Sequence, residues 1–350
     1  MRKNVYSLLG AMLILLIGSV SLYAKKNKDV SEDRNLSGNY NVIAYVTSDR
    51  KGMPDPNLVT HIFYAFAEVK ETFDGIDIIN PERFQQIVDL KKINPDLKIS
   101  ISVGGYRRAG FSEMSSSGKL RKAFVKDCKE KIEKYGLDGI DLDWEFPTTD
   151  KGGHTARPDD AVNYGKLVKE LRKALGKEKL ITFYSNNSGA FIDFDEMLPY
   201  VDFVMASGYN LGIPPKHHSN LYPSKFCGGW SVSGGMKRHI GKGVPPSKIM
   251  MGVPFYARSI PFEGKYKYFE RSHFSRFLKG YEIKWDDEAK APYAADENGE
   301  MLASFDNEES IGYKAEYIKD NGFAGMFYWH ADSDDENHSL ARSAWQNMMK

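Results

Sequence analysis

Cysteine is scarce in this sequence, since only Cys128 and Cys227 occur among 350 residues. Neither belongs to a CxxC pair or to a His/Cys spacing typical of metal sites, so no disulfide framework is expected, while a single bridge between them stays open. Cys128 falls on the apolar face of a helical pattern and is expected in the core.

The chain also lacks an excess of positive or of negative charge. The formal net charge is +1, and no basic stripe interleaved with aromatics occurs, which argues against nucleic-acid binding.

Long apolar runs are lacking except near the N-terminus. Two basic residues there precede an apolar run over 8–20, which is short for a membrane span, and a plausible cleavage point follows Ala24. This pattern predicts a signal peptide over 1–24, with an uncleaved anchor as the alternative. The polar stretch 25–36 is expected to be a flexible linker and 37–350 a single folded domain. We therefore expect a secreted protein, periplasmic or extracellular.

Short β-rich runs alternate with amphipathic helical patterns along the rest of the chain. Eight strands separated by helices indicate a parallel sheet, and eight is the number that closes into a (β/α)8 TIM barrel. A doubly wound open sheet is the alternative. The chain between the seventh and eighth strands is long for a barrel loop, which predicts a small insertion at about 260–303, and 207–225 is expected to form a cleft wall.

The predicted strands are Val42–Thr47, His61–Ala67, Lys98–Val103, Gly139–Trp144, Leu180–Tyr184, Phe203–Ala206, Ile249–Val253 and Gly325–Trp329. Helical patterns between them include Glu82–Ile93, Leu120–Lys134, Ala161–Leu175 and Ser310–Asp320.

The stretch GLDGIDLDWEFP at 136–147 places acids inside a run typical of a buried strand. Because strand residues alternate between faces, Asp141, Asp143 and Glu145 point to one side, here the barrel interior. Glu145 stands at the C-terminal end, where barrel enzymes carry their chemistry. Acids this close cannot all be charged away from water, so at least one pKa must rise, as a general acid requires. A salt-bridged core cluster is the alternative, but the strands offer almost no inward cation except Lys98.

The acid stretch and several predicted strands resemble the motifs of family 18 glycoside hydrolases, the chitinases and their relatives. DGIDLDWE is similar to the DxxDxDxE signature of that family, and ISISVGG (99–105) resembles its SxGG strand. THIFYAFAEV (60–69), GVPPSKIMMGVPFYARS (243–259) and GFAGMFYWHADSDD (322–335) resemble its second, seventh and last strands. The resemblance covers residues 40–349, which implies the barrel and the hydrolase activity of the family.

The resemblance implies a role for each acid. Glu145 resembles the general acid that protonates the glycosidic oxygen. Asp143 resembles the residue that orients the N-acetyl group of the substrate, which attacks the anomeric carbon in a substrate-assisted reaction. Asp141 resembles a deeper acid that shares a proton with Asp143, with Tyr45 and Ser102 as its supports. No metal or organic cofactor is implied.

One family motif is altered in this chain. The family has Met-x-Tyr-Asp at the end of its sixth strand, whereas VMASGYNLG stands here. We interpret two of these residues as an insertion, which makes Tyr209 the hydrogen-bond donor to the acetamido carbonyl and puts Asn210 where the family has Asp. Replacement of the Tyr-Asp pair by Ser207 and Gly208 is the alternative. Tyr106 likewise stands where the family often has Trp.

The remaining assignments follow from the same resemblance. Asp138 resembles a structural acid of the motif, and Trp329 resembles the floor under the sugar at the cleavage point. The residues assigned to substrate binding are Tyr45, Ser102, Gly104, Gly105, Tyr106, Trp144, Asn210, Tyr256, Arg258 and Trp329.

The sequence thus predicts a secreted glycoside hydrolase that cleaves β-1,4-linked N-acetylglucosamine polymers, chitin or chitooligosaccharides, with retention of configuration. The 20 Tyr, 20 Phe and 5 Trp suit binding of apolar sugar faces. One alternative is an endo-β-N-acetylglucosaminidase acting on the chitobiose core of N-glycans, and another is a non-catalytic, lectin-like chitin-binding protein. The expected partner is the oligosaccharide, with no nucleic acid, no obligate protein partner, and membrane contact only through an uncleaved N-terminal segment.

Overall fold

Eight parallel strands close into a barrel in the computed structural model, which describes residues 40–262 and 265–350. In chain order the strands are β1 Asn41–Thr47, β2 His61–Val69, β3 Ile76–Ile78, β4 Lys98–Gly104, β5 Gly139–Asp143, β6 Leu180–Ser185, β7 Phe203–Ala206, β8 Ile249–Pro254, β9 Tyr256–Phe262, β10 Lys265–Glu270, β11 Glu282–Asp286, β12 Ala291–Ala295, β13 Met301–Ser304 and β14 Gly325–Trp329.

Helices follow most of the barrel strands. They are α1 Pro81–Val88, α2 Phe111–Ser116, α3 Gly118–Tyr135, α4 Asp160–Leu175, α5 Phe194–Met197, α6 Val232–Gly241, α7 Phe274–Phe277, α8 Glu308–Asp320 and α9 Ser339–Met349. Short 3-10 turns lie at Asp89–Lys92, Pro246–Lys248, Arg271–His273 and Ala331–Ser333.

The barrel closes because β1 pairs in parallel with both β2 and β14. Tyr45 pairs with Phe63 of β2, and Ala44 pairs with Tyr328 of β14. Around the barrel the order is β1-β14-β8-β7-β6-β5-β4-β2, and β3 pairs antiparallel with β2. The TIM-barrel prediction is therefore confirmed, and the open doubly wound sheet is wrong, since an open sheet leaves two edge strands unpaired.

Alternation along the strands separates two cores. Ile43, Phe63 and Phe327 point inward and pack with other apolar side chains inside the barrel. Ile140 and Leu142 point outward and join the larger core between the strands and the helices. Strands of this kind are buried on both faces, which explains why they are nearly continuous apolar runs.

The longest described helix shows how local sequence fixes the element ends. Ser117 caps α3 by accepting from the backbone N–H of Leu120, and Gly136 ends the helix in a left-handed conformation.

Cys128 lies buried on the inner face of this helix as a free thiol, as expected for a core residue. Cys227 is also buried and free, so the two cysteines do not form a disulfide.

The insertion lies between the seventh and eighth barrel strands. Its strands β9 to β13 form a five-stranded antiparallel sheet in the order β10-β9-β13-β12-β11.

The predicted signal peptide and linker lie outside the described residues. Within 40–262 and 265–350, no helix combines the length and apolar character that a membrane crossing requires.

Candidate active site

A cavity of about 700 Å³ opens at the C-terminal end of the barrel. The predicted site residues that line it are Tyr106, Asp143, Glu145, Tyr209, Asn210, Arg258 and Trp329. The other wall residues are Phe66, Phe146, Tyr184, Asn186, Asn187, Ser188, Ser207, Leu211 and Trp230. Many of these side chains are aromatic, which suits a ligand with apolar ring faces.

Asp141 lies at the bottom of the site with no exposed surface. Its Oδ2 accepts hydrogen bonds from the Tyr45 hydroxyl at 3.0 Å and from Ser102 Oγ at 2.6 Å. Its Oδ1 accepts from Thr182 Oγ1 at 2.6 Å. Burial raises the pKa of Asp141, and the hydrogen bonds from Ser102, Thr182 and Tyr45 oppose that rise. Tyr45 and Ser102 thus hold Asp141 from behind the cavity wall, and neither of these two predicted substrate-binding residues lines the cavity.

Thr182 completes this set and was not predicted. Ser102, Asp141 and Thr182 are direct neighbours across β4, β5 and β6, so the parallel register brings their side chains together. The available signal was a polar residue in the middle of a mainly apolar strand, LITFYS.

Asp143 lies one step higher on the same face, next to Asp141 and Glu145. It is 5% exposed, and its Oδ1 has no hydrogen-bond partner among the described residues. Burial, followed by the negative charges of Glu145 and Asp141, raises the pKa of Asp143 well above its usual value. A buried polar atom without a partner is costly, so it indicates a ligand group that completes the site.

Glu145 follows β5 and reaches the cavity wall. Burial raises the pKa of its carboxyl from 4.5 to about 8, so the carboxyl keeps its proton at neutral pH. Its backbone carbonyl lies 2.8 Å from Nε2 of His154, whose Nδ1 lies 3.0 Å from the carbonyl of Thr155. Gly152 leaves room for this contact, because a Cβ there would lie 2.7 Å from the Glu145 carbonyl oxygen. The loop after β5 thus fixes the Glu145 backbone through a histidine that the sequence did not single out.

Tyr209 is buried in the wall three residues beyond β7. Burial, then the neighbouring tyrosines and the two acids, raises the pKa of its phenol well above the usual value, so the hydroxyl remains a donor. The preceding Gly208 packs closely on the barrel, since a Cβ there would lie 2.3 Å from the Gly252 carbonyl oxygen. Its carbonyl accepts from Ser219 Oγ at 2.7 Å, and the buried Lys314 donates to Ser219 at 2.6 Å. The altered motif therefore still brings a tyrosine to the cavity.

Asn210 lines the cavity and does not point away from it. Its Oδ1 accepts from the Tyr256 hydroxyl at 2.7 Å. Tyr256 is 2% exposed and stacks on Tyr268, so it supports Asn210 from behind and does not line the cavity itself.

Trp329 lies at the end of β14 and forms part of the wall. It stacks on Phe66 with ring centroids 5.6 Å apart, and Tyr45 contacts it at 5.7 Å. Tyr45 also donates a hydrogen bond to Asp141, so it contacts both Trp329 and the most deeply buried acid.

The assignment of Trp144 to substrate binding is wrong. Its ring is 1% exposed and lies in the outer core, stacked on Phe111 at 5.2 Å and in contact with Tyr164. Trp144 falls between Asp143 and Glu145, and alternation turns it away from the cavity.

Gly104 and Gly105 also act behind the wall, not as part of it. Both have positive φ, and a Cβ on Gly104 would lie 2.2 Å from the Asp143 carbonyl oxygen. The N–H of Gly105 donates to that carbonyl at 2.8 Å. These glycines therefore let the β4 backbone approach Asp143 closely.

Asp138 lies at the opposite end of β5, as a structural acid would. Its Oδ2 accepts from the Ile99 N–H at 2.7 Å and from Lys91 Nζ at 2.6 Å. For metal ions, no cluster of three or more His, Cys, Asp or Glu suited to binding one occurs in the described part of the chain.

This chain is similar to known proteins. Residues 41–334 match the family model described as Glycosyl hydrolases family 18. Chitinase A1 of Niallia circulans is 30% identical over 311 residues, which cover 76% of this chain and 44% of that protein. Chitotriosidase-1 of Mus musculus is 30% identical over 322 residues, which cover 80% of this chain and 68% of that protein.

A solved structure is similar over most of the fold. The family 18 N-acetylglucosaminidase from Paenibacillus barengoltzii superposes with a TM-score of 0.80 at 31% identity, covering 88% of this chain and 100% of that one. The chain spans about half the length of two curated relatives that it matches. It covers 44% of chitinase A1 and 54% of the probable endochitinase of Caenorhabditis elegans.

Proposed function

Since this chain belongs to the glycosyl hydrolases of family 18, we propose that it hydrolyses β-1,4-linked N-acetylglucosamine polymers, chitin or chitooligosaccharides, with retention of configuration. The observation that carries the proposal is the pairing of two carboxyls in one cavity. Glu145 holds a proton at neutral pH, and Asp143 beside it has a buried oxygen without a partner among the described residues. A proton donor next to an unsatisfied acceptor suits a substrate that carries both a leaving oxygen and an amide N–H.

In this mechanism Glu145 protonates the glycosidic oxygen as the bond to the anomeric carbon breaks. A carboxyl with a pKa near 8 is protonated at neutral pH and still gives up its proton to a developing alkoxide. After the leaving sugar departs, the resulting carboxylate removes a proton from the incoming water. The same residue thus acts first as acid and then as base.

The nucleophile in this mechanism is the carbonyl oxygen of the substrate's own acetamido group. Asp143 accepts the acetamido N–H, and its charge stabilises the positive charge that spreads over the ring formed with the anomeric carbon. Tyr209 donates to the acetamido oxygen. Asp141 takes the proton that Asp143 releases as Asp143 becomes charged, and the burial that raises the pKa of Asp141 favours this uptake. Attack by the internal group and then by water inverts the anomeric carbon twice, which gives retention.

The test is a side-by-side assay of the purified protein on chitohexaose and on a high-mannose glycoprotein. We expect cleavage of the chitooligosaccharide, with the β-anomer as the first product by NMR. Cleavage of the glycoprotein alone would replace this function by an endo-β-N-acetylglucosaminidase. Binding of the oligosaccharide without cleavage of either substrate would indicate a lectin-like protein.

We also propose that residues 1–24 direct export of the chain. The basic start, the apolar run and the cleavage position after Ala24 support this. N-terminal sequencing of the exported protein tests it: a mature start at Lys25 is expected, and an intact Met1 on membrane-bound protein would indicate an anchor.

Asn210→Asp is expected to move the alkaline limb of the pH–rate profile upward. The rate falls as pH rises through the titration of Glu145, because the acid loses its proton. A carboxylate at 210, in the same cavity wall, adds a negative charge that opposes ionisation of Glu145 and so raises its pKa. Measuring kcat/KM against pH for both proteins detects the shift.

Asn210→Ala is the matched control for this experiment. It removes the acceptor for Tyr256 without adding charge, so its alkaline limb should coincide with that of the original protein. Superimposable limbs for the Asp and Asn forms, or an equal shift in the Ala form, would contradict the electrostatic explanation.

A further inference from the structure

A buried ion pair lies behind the segment of the cavity wall that carries Tyr209. Lys314 of α8 and Asp306, two residues before this helix, have no exposed side-chain surface. Lys314 Nζ donates to Asp306 Oδ1 at 2.7 Å and to Oδ2 at 2.5 Å. An apolar pair of the same volume often serves stability equally well, so a buried ion pair points to a role in fixing geometry.

The third proton of the Lys314 ammonium sets the direction of a hydrogen-bond chain. Nζ donates to Ser219 Oγ at 2.6 Å, and Ser219 Oγ lies 2.7 Å from the carbonyl oxygen of Gly208. An ammonium group only donates, so Ser219 must accept from it and give its own proton to Gly208. All three ammonium protons are then used, and the Gly208 carbonyl has a fixed donor.

The Gly208 carbonyl belongs to the peptide plane that carries the N–H of Tyr209. Because this plane is rigid, a donor that holds the carbonyl also holds the backbone nitrogen of Tyr209. β7 ends at Ala206, so Tyr209 lies outside the strand that precedes it. The position of the Tyr209 backbone therefore depends on contacts from outside β7, and the donor from Ser219 is one of them.

The Tyr209 ring is packed from its sides, so its backbone decides how far the hydroxyl reaches into the cavity. The ring meets those of Tyr256 and Phe327 edge to face, with centroids 6.2 Å apart in both pairs. The negative charges of Asp143 and Glu145 contribute to raising the pKa of the phenol, which places the hydroxyl close to both acids. A shift of the Gly208 peptide is therefore carried to the hydroxyl beside these acids.

We propose that Lys314, through Ser219 and Gly208, positions the Tyr209 hydroxyl for its hydrogen bond to the acetamido oxygen. This inference rests on the proposed function. Lys314 does not line the cavity, so it is a positioning residue and acts through the backbone of another residue. Misplacement of a reacting or orienting group by about 1 Å costs up to about a hundredfold in rate. Loss of the chain from Lys314 should therefore lower kcat and leave KM nearly unchanged.

The test is the effect of Ser219→Ala in two backgrounds. This substitution removes only the link between Lys314 and Gly208, and we expect kcat on chitohexaose to fall by about tenfold. In the Tyr209→Phe protein, which lacks the hydroxyl that is positioned, the same substitution should change kcat by less than about twofold. Ser219→Thr keeps a hydroxyl at this place and should restore most of the rate.

Ser310→Ala is the matched control, because it removes a buried hydroxyl from the other side of the same ion pair. Ser310 Oγ donates to Asp306 Oδ1 at 2.6 Å in the first turn of α8. Its loss should lower the melting temperature and leave kcat within about twofold. Lys314→Met combined with Asp306→Asn leaves no unpaired buried charge, and it should lower kcat as Ser219→Ala does.

Equal losses of kcat in Ser219→Ala and Ser310→Ala, or a loss for Ser219→Ala that persists in the Tyr209→Phe protein, would overturn the positioning role. The ¹³C NMR signal of Tyr209 Cζ, assigned by its disappearance in Tyr209→Phe, separates this result from failure of the proposed function. If the protein cleaves no oligosaccharide but Ser219→Ala moves that signal and Ser310→Ala does not, the hydrolase proposal fails and the positioning of Tyr209 stands. If cleavage occurs and Ser219→Ala leaves kcat unchanged, the hydrolase proposal stands and the positioning role fails.

Discussion

Glu145→Gln is expected to lower turnover of chitooligosaccharides by at least about a hundredfold while binding of the oligosaccharide remains within a few-fold. The amide has the shape of the carboxylic acid but has no proton to give to the glycosidic oxygen. Loss of this proton donor destabilises the transition state but not the bound substrate, so kcat should drop and KM should change little. Single-turnover rates on chitohexaose and calorimetric binding measure the two quantities separately.

Glu130→Gln is the matched control, because it makes the same chemical change on the exposed surface of α3. Within 40–262 and 265–350, Glu130 forms a single ion pair, with Lys126. It should retain full activity, since exposed pairs of this kind contribute little. A Glu145→Gln protein that keeps more than roughly a tenth of the original turnover would place the acid at another residue.

Asp143→Asn is expected to lower kcat by about a hundredfold to a thousandfold. The amide keeps the size of the side chain, but it has no negative charge to stabilise the positive ring that the acetamido group forms. The burial of Asp143 makes that charge effective, because little water screens it. Steady-state rates on chitohexaose measure the effect, and the pre-steady-state release of the first product locates it in the first chemical step.

Asp138→Asn is the control on the same strand. Asp138 holds Ile99 and Lys91 at the far end of β5, so its replacement should lower the melting temperature and leave kcat within about threefold. Fully deacetylated chitooligosaccharide provides a second check, because it lacks the internal nucleophile. Efficient cleavage of that substrate would contradict the role of Asp143.

Much of the fold follows from patterns along the chain. Each barrel strand is a short apolar run between helical patterns, and the predicted strands differ from the observed ones by no more than two residues at an end, as for β2, which continues to Val69. The acid positions in β5 follow from alternation alone. The same alternation turns Trp144 away from the cavity, although Trp144 belongs to the acid motif.

The residues that sequence reasoning missed share a physical reason. Thr182 meets Asp141 through the register between β5 and β6, which depends on closure of the whole barrel. His154 lies in a loop whose path depends on Gly152, and no periodic pattern marks such a path. Contacts that depend on the register of distant strands or on loop geometry require the three-dimensional structure.

The three acids on and just after β5 also tie folding to proton uptake. In the unfolded chain at neutral pH, Asp141, Asp143 and Glu145 are all ionised, whereas burial in the barrel raises the pKa of each. The folded chain therefore binds more protons than the unfolded chain, and the free energy of unfolding falls as pH rises. For Glu145 this loss extends from pH 4.5 to about 8, at up to about 1.4 kcal/mol per pH unit. The groups that we propose carry out hydrolysis thus add most to the stability of the barrel below pH 4.5 and progressively less as the pH rises. Each one replaced by a neutral amide should leave the fold less sensitive to alkali.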